Sequence, residues 1–395
     1  MKIALAIDFF YPELGGMQDS VALLAQELGR RGHTVEIYVP EASAKNYKVV
    51  GLPVGELDLG GNVKVRRAFS FPIPSPTHQS RLVPPTFLRW LAMSKPDIIH
   101  TNSFYGVGIE MICAARALGV PLVGTNHFAV TEYAMYYPFI NPERFKRWSM
   151  KAVIWYYNHC AYVSGPSQSV VDEMRGSGLR AESEVVSNPI DTYTFHPVDS
   201  GKRADLKKKL GLSDAVFIYA GKFAPEKYVD ILVGALPSVC KRVPHAMLAL
   251  AGHGSERPRL EALAQKLGVH DRLRFLGTLS KPDLAEAFQA SEVFASASTS
   301  ETQSMVLFQA MSCGLPAVGA DARAFKEYIR PDVGYRAKPH DAENFAAKLL
   351  TILENPASRE RMGARAQTFA QDFSIERIAT KWEEVYTGYT GVTKS

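Results

Sequence analysis

Two lysines, a glutamate and a histidine are the residues of this chain best suited to chemistry, and each follows an apolar run. Lys222 and Lys227 stand five apart in Tyr219-Ala220-Gly221-Lys222-Phe223-Ala224-Pro225-Glu226-Lys227. Two cations in one loop after a strand can converge on a diphosphate; the plain alternative is a pair of solvated surface lysines. Glu301 begins the stretch Glu301-Thr302-Gln303-Ser304-Met305 after Ser300, which leads into Val306-Leu307-Phe308-Gln309-Ala310-Met311 and ends at Cys313-Gly314-Leu315-Pro316. Ser300 is suited to cap a helix there, leaving the N–H groups of Thr302–Met305 for a phosphate. Glu301 and Gln309, eight apart, can then reach one ligand from the helix start and its second turn; otherwise the acid only caps. His127, in Gly124-Thr125-Asn126-His127-Phe128, follows a strand and is either a site residue or a structural one beside an aromatic. Gly15 and Gly16 close Tyr11-Pro12-Glu13-Leu14-Gly15-Gly16 between a strand and a helix. Glycines there allow positive φ and a close backbone approach to an anion, or simply a tight turn. Gly-x-Gly-x-x-Gly, a P-loop and Asp-x-Asp are all missing from the sequence, so the usual carboxylate pair for a metal–diphosphate complex is not available.

The elements that must position these residues alternate between strand and helix. Lys2–Ile7, Thr34–Val39, Ile98–His100, Pro121–Thr125 and Ala161–Val163 read as strands, then Val216–Ala220, Ala246–Ala251, Leu273–Leu276, Val293–Ala295 and Pro316–Val318. Helical patterns lie between them at Asp19–Arg30, Gly108–Leu118, Val229–Cys240, Glu256–Lys266 and Ser304–Ser312. Such alternation predicts parallel sheets covered on both faces. It happens twice and breaks in the polar stretch around His196-Pro197, which predicts two doubly wound domains joined by a linker near residues 192–212. The domains are expected at 1–192 and 193–373. A last helix from about 374, with Ile375, Ile378, Trp382, Val385 and Tyr386 at helical spacing, must bury a face, and residues 374–395 are expected to pack back on the first domain.

Composition narrows the class. At 395 residues with 46% hydrophobic and 22% charged content, the chain is an ordinary globular one, which excludes collagen-like and disordered readings. The greasiest stretch, Trp148–Val163, is broken by Lys151, Asn158 and His159, too polar for a membrane span. Met1-Lys2 before Ile3–Ile7 is too short for a signal peptide, and the four scattered cysteines (Cys113, Cys160, Cys240, Cys313) suggest neither disulfides nor zinc, so a cytoplasmic location is expected. A net charge of +5 favours an anionic substrate or surface but is too weak, without a basic stripe, for nucleic acid.

Taken in order, the motifs resemble one family, the retaining family-4 glycosyltransferases of the GT-B fold. The matching parts are Pro12 with Gly15-Gly16, Leu28-Gly29-Arg30-Arg31-Gly32-His33-Thr34-Val35, Pro96-Asp97-Ile98-Ile99-His100 and Thr125-Asn126-His127. They continue through Ser187-Asn188-Pro189-Ile190-Asp191, Gly221-Lys222 with Glu226-Lys227, Gly252-His253-Gly254, and Ser300-Glu301 through Gln309 to Gly314-Leu315-Pro316. The resemblance implies an α/β GT-B architecture: two Rossmann-like domains facing across a cleft, with a nucleotide-sugar donor on the second. It implies that Lys222 and Lys227 hold the diphosphate, helped by the backbone of Gly15, Gly16, Ser304, Met305 and Val306. Glu301 would take the sugar hydroxyls, and His127 would lie near the sugar C6 hydroxyl and the reacting face. No cofactor and no metal are expected, since two cations and oriented amides can stabilise the leaving diphosphate. Two departures stand out. Gln309 replaces the family's second Glu, which grips the ribose, and Lys222 replaces the usual Arg, losing its bidentate fork.

For the acceptor, Arg144-Phe145-Lys146-Arg147-Trp148-Ser149-Met150-Lys151 interleaves four cations with aromatics, the pattern of an interfacial helix for anionic lipid; a solvated helix with a core-facing aromatic stripe is the alternative. Arg66, Arg67, Arg81, Arg89 and Trp90 add to it, and His127 with Glu132-Tyr133 and Tyr136-Tyr137 is similar to bacterial diacylglycerol glycosyltransferases. The expected function is transfer of a hexose, from a UDP-sugar, to a membrane lipid by an enzyme peripheral on the inner face of the membrane. A soluble acceptor, a nucleotide-sugar epimerase and a degenerate nucleotide-sugar binder are the alternatives.

Overall fold

Apolar runs bounded by Gly, Pro, Asn or Asp fold here as buried parallel strands. The computed structural model describes residues 1–13, 15–42, 46–47, 55, 57–72, 81–82, 86–129 and 139–391. The strands are β1 (Lys2–Ala6), β2 (Thr34–Pro40), β3 (Val63–Ala68), β4 (Phe71–Pro72), β5 (Arg81–Leu82), β6 (Ile98–Thr101), β7 (Leu122–Thr125), β8 (Tyr162–Gly165) and β9 (Glu182–Val185). They continue as β10 (Ala215–Ala220), β11 (Ala246–Ala251), β12 (Leu273–Gly277), β13 (Val293–Ser296), β14 (Ala317–Ala320) and β15 (Gly334–Ala337). The helices are α1 (Gly16–Arg30), α2 (Phe87–Ser94), α3 (Val107–Leu118), α4 (Pro142–Tyr157), α5 (Gln168–Gly176), α6 (Ser200–Leu210) and α7 (Val229–Arg242). After them come α8 (Arg257–Lys266), α9 (Lys281–Gln289), α10 (Met305–Ser312), α11 (Arg323–Tyr328), α12 (Ala342–Leu353), α13 (Pro356–Ala370) and α14 (Ile375–Thr390).

The chain divides into two compact units, Met1–Pro189 with Ile375–Ser395, and Ile190–Ser374. The first holds a seven-stranded sheet in the order β3-β2-β1-β6-β7-β8-β9, and the second a six-stranded sheet in the order β12-β11-β10-β13-β14-β15. Every pairing within these two sheets is parallel. Both are Rossmann-like, with the strand order reversing beside the first strand, β1 against β6 and β10 against β13. Loops leaving the carboxyl ends of strands at such a reversal are where ligands bind in doubly wound sheets.

Five strands escape the sequence reading: the two-residue strands β4 and β5, which pair with each other, and the longer β3, β9 and β15. The last three each lie at an edge of a parallel sheet, where polar residues replace the continuous apolar run of a central strand. The linker expected near 192–212 contains helix α6, which has almost no apolar stripe. Its ends carry the signals instead: the Asp199 side chain accepts from Lys202 N, and Gly211 closes the helix at φ 65°. Buried Lys207 then ties α6 to Glu292 at 2.9 Å.

In the first unit, α2, α3 and α4 share one apolar cluster with the sheet, while α1 and α14 share another. Ile378, Trp382 and Tyr386 of α14 belong to the latter. Glu383, 3% exposed, accepts from Arg31 at 2.9 Å and pairs with His33 at 2.8 Å.

Candidate active site

In the second unit the loop after β10 carries both lysines and is locked from below. Phe223 N donates to His253 O, and Gly252 and Gly254 lie flush against it: a Cβ on Gly252 would meet Gly221 O at 1.9 Å. Both have positive φ, 137° and 159°, so the Gly252-His253-Gly254 motif is a backbone-packing requirement. Lys227 ends a 3₁₀ turn, Pro225–Lys227, in which its own amide donates to Ala224 O and that of Tyr228 donates to Pro225 O. Tyr228 follows at φ 48° and packs its ring on His340. This fixes where Lys227 starts. Lys222 is exposed and, among the described residues, has no ion-pair partner.

Glu301 stands on the loop after β13, the neighbour of β10 at the strand-order reversal. Its backbone carbonyl accepts from Ala324 N, and its carboxylate accepts from Lys227 Nζ at 2.6 Å. Burial pushes the Glu301 carboxyl up, but the charge and hydrogen bond of Lys227, helped by Ser298, outweigh that and hold it below the ordinary value. The fold thus brings together two residues 74 apart.

Ser300 does not cap the helix. Helix α10 begins at Met305, and its N-cap is Ser304 in the left-handed region, φ 70°. The loop from Glu301 to Gln303 stays irregular because Glu301 is held by Lys227 and Ala324. Three buried side-chain oxygens of this helix and its cap, Ser304 Oγ, Gln309 Oε1 and, at the far end, Ser312 Oγ, have no hydrogen-bond partner among the described residues; the first two lie toward the helix start. Buried polar atoms are rarely left unmade in a folded protein. With the first-turn amides of Met305 and Val306, those first two mark this end of α10 as built to receive something polar.

In the first unit, His127 follows β7. Its Nε2 lies 2.9 Å from Asn102 Oδ1, on the loop after β6. Burial lowers its pKa to about 4, against a smaller opposing effect of Asn188, so the ring is neutral at neutral pH. Asn188 in turn accepts from Ser20 Oγ of α1 at 2.9 Å. Beneath lies His100, bonded to Tyr386 OH at 2.7 Å and Thr125 Oγ1 at 2.8 Å, and packed at a tilt against Trp382. Asn102 was missed in the sequence reading; its only signal was a polar residue directly after a buried strand.

Gly15 is in extended backbone, φ 170°, so positive φ is not why it is glycine. Both Gly15 and Gly16 are exposed, and they leave the first amides of α1 open.

Helix α4 is capped by Asn141, which accepts from Glu143 N and Arg144 N. Met150, Val153, Ile154, Tyr156 and Tyr157 face the core. Arg144, Arg147, Trp148, Lys151 and Trp155 face out, with Trp148 83% and Trp155 57% exposed, while Lys146 pairs with Glu143. The tyrosines therefore form the core stripe and the tryptophans do not. Arg81 and Arg89 side chains, Glu132, Tyr133, Tyr136 and Tyr137 lie outside the described residues.

Residues 14–193 match Glycosyltransferase Family 4, and residues 202–369 match Glycosyl transferases group 1. The chain belongs to the family-4 glycosyltransferases. Within this family it is 27% identical, over 82% of its length, to sulfoquinovosyl transferase SQD2 of Arabidopsis thaliana, and spans 62% of that relative. It is 26% identical to alpha-monoglucosyldiacylglycerol synthase of Streptococcus pneumoniae over 89% of this chain and 78% of that one. Among solved structures it matches Anabaena HepE, crystallised with UDP, with a TM-score of 0.79 at 21% identity over 98% of this chain and 100% of that one. That similarity establishes the GT-B fold.

Proposed function

We propose that this glycosyltransferase moves a hexose from a nucleotide sugar, UDP-linked in the first instance, to a membrane lipid, with retention of configuration and without a metal ion. The observation that carries the donor half is the meeting of Lys227 with Glu301 at the strand-order reversal of the second unit, on a loop that also carries Lys222. Cations at that edge suit a diphosphate, and the carboxylate suits sugar hydroxyls. The unsatisfied oxygens of Ser304 and Gln309 add partners for the nucleotide. Lys222, Lys227 and the amides of Met305 and Val306 would stabilise the departing nucleoside diphosphate, the task otherwise given to a metal. A neutral His127 would offer a hydrogen bond to the sugar rather than a proton.

The lipid half rests on α4, whose outward face presents two tryptophans among Arg144, Arg147 and Lys151, the composition of a helix lying in an anionic membrane surface. No helix among the described residues is long and apolar enough to cross a membrane. The relative named alpha-monoglucosyldiacylglycerol synthase agrees with this reading.

The test is mass spectrometry of products from pooled UDP- and GDP-sugars with mixed lipid vesicles and a metal chelator present. A hexosylated lipid is expected. Free nucleotide without glycolipid would point to a soluble acceptor. Silence with bound nucleotide would leave a degenerate binder, and a product formed only without chelator would overturn the metal-free mechanism.

A further inference from the structure

The Lys227–Glu301 pair has a consequence for how the donor enters. Both residues sit on fixed loops, and the pair is largely shielded, with side-chain exposures of 24% and 17%. Lys222, on the same loop as Lys227, is exposed and has no ion-pair partner among the described residues. The two lysines are therefore not equivalent receptors: one stands open, and the other is already engaged by the carboxylate assigned to the sugar.

We infer that donor binding exchanges this ion pair, the diphosphate taking Lys227 and a sugar hydroxyl taking the place of the ammonium on Glu301. The inference rests on the donor reading given above. A nucleoside diphosphate alone can draw Lys227 away, but it leaves Glu301 as a shielded carboxylate with its strongest partner gone, which is unfavourable. A nucleotide sugar supplies the missing donor from its own hydroxyl. The pair thus makes diphosphate and sugar recognition one event, and it selects substrate over the nucleoside diphosphate product. After transfer, Glu301 recovers Lys227 and helps expel the product.

The experiment is calorimetric titration of the full-length protein with UDP, GDP and the corresponding sugar nucleotides, for wild type, Glu301→Gln, Lys227→Met and the double variant. A neutral glutamine no longer competes for Lys227. Glu301→Gln is therefore expected to bind the nucleoside diphosphate about tenfold more tightly while its preference for the sugar nucleotide collapses and transfer slows. The two single effects should not add in the double variant. Glu301→Ala, with thermal unfolding measured alongside, guards against an artefact of the amide. If wild type binds nucleotide and Glu301→Gln binds the diphosphate equally or more weakly, the exchange is wrong and the donor reading survives. If wild type binds neither nucleotide nor sugar nucleotide, the donor reading itself falls and takes the exchange with it.

Discussion

At the scale of single residues, burial decides the charge states around His127. His100 is lowered to about 3 by burial and the nearby His127, and His127 is lowered to about 4 by burial. Folded protein therefore refuses protons that the unfolded chain takes from pH 6.5 downward, and stability is lost as pH falls through that window. Each histidine contributes a slope of at most about 1.4 kcal/mol per pH unit. Asp8 acts in the opposite sense. It is buried, raised to about 7, and accepts from Val107 N at the start of α3, so it gains stability as pH falls. Urea unfolding at pH 7 and pH 5 should show wild type losing stability on acidification, with His100→Gln losing clearly less. An identical slope in the two proteins would mean that His100 is not held neutral.

Elements show where sequence patterns carry and where they stop. Central strands such as β10, buried at all six positions, are legible because both faces must be apolar. The edge strands β3, β9 and β15 and helix α6 are not, since one side of each meets water. For α4 the pattern gives the helix, but only the fold tells which aromatics face out. Trp148 and Trp155 lie seven residues apart, about two turns along one face. Replacing both with alanine should leave stability within about 0.5 kcal/mol. Co-sedimentation with anionic vesicles at low salt should fall about tenfold. Undiminished vesicle binding would remove α4 from the membrane reading.

For the molecule as a whole, each unit has its own core, and the first is completed by the last helix of the chain. Glu383 joins α14 to Arg31 and His33 in a buried network. Glu383→Ala takes one carboxylate from Arg31, which keeps Glu27 at 2.8 Å, and the only acid from His33 among the described residues, and should destabilise the first unit by about 1–3 kcal/mol. The tryptophans, Trp90, Trp148, Trp155 and Trp382, all belong to that unit. Intrinsic fluorescence should therefore report a large shift in unfolding midpoint, while circular dichroism retains a component at the wild-type position. Coincident shifts in both signals would show that the two units unfold as one.

The sequence by itself determined the doubly wound class, the place of the strand-end loops and the residue types they carry. Periodicity and local turn chemistry are properties of neighbouring residues, so they survive in one dimension. Only the tertiary structure decided which of those residues meet. The ion pair of Lys227 with Glu301, the amide of Asn102 against His127 and the seat of Tyr386 on His100 each join positions far apart in the chain. Strand order puts them side by side, and strand order comes from burying both faces of a sheet at once.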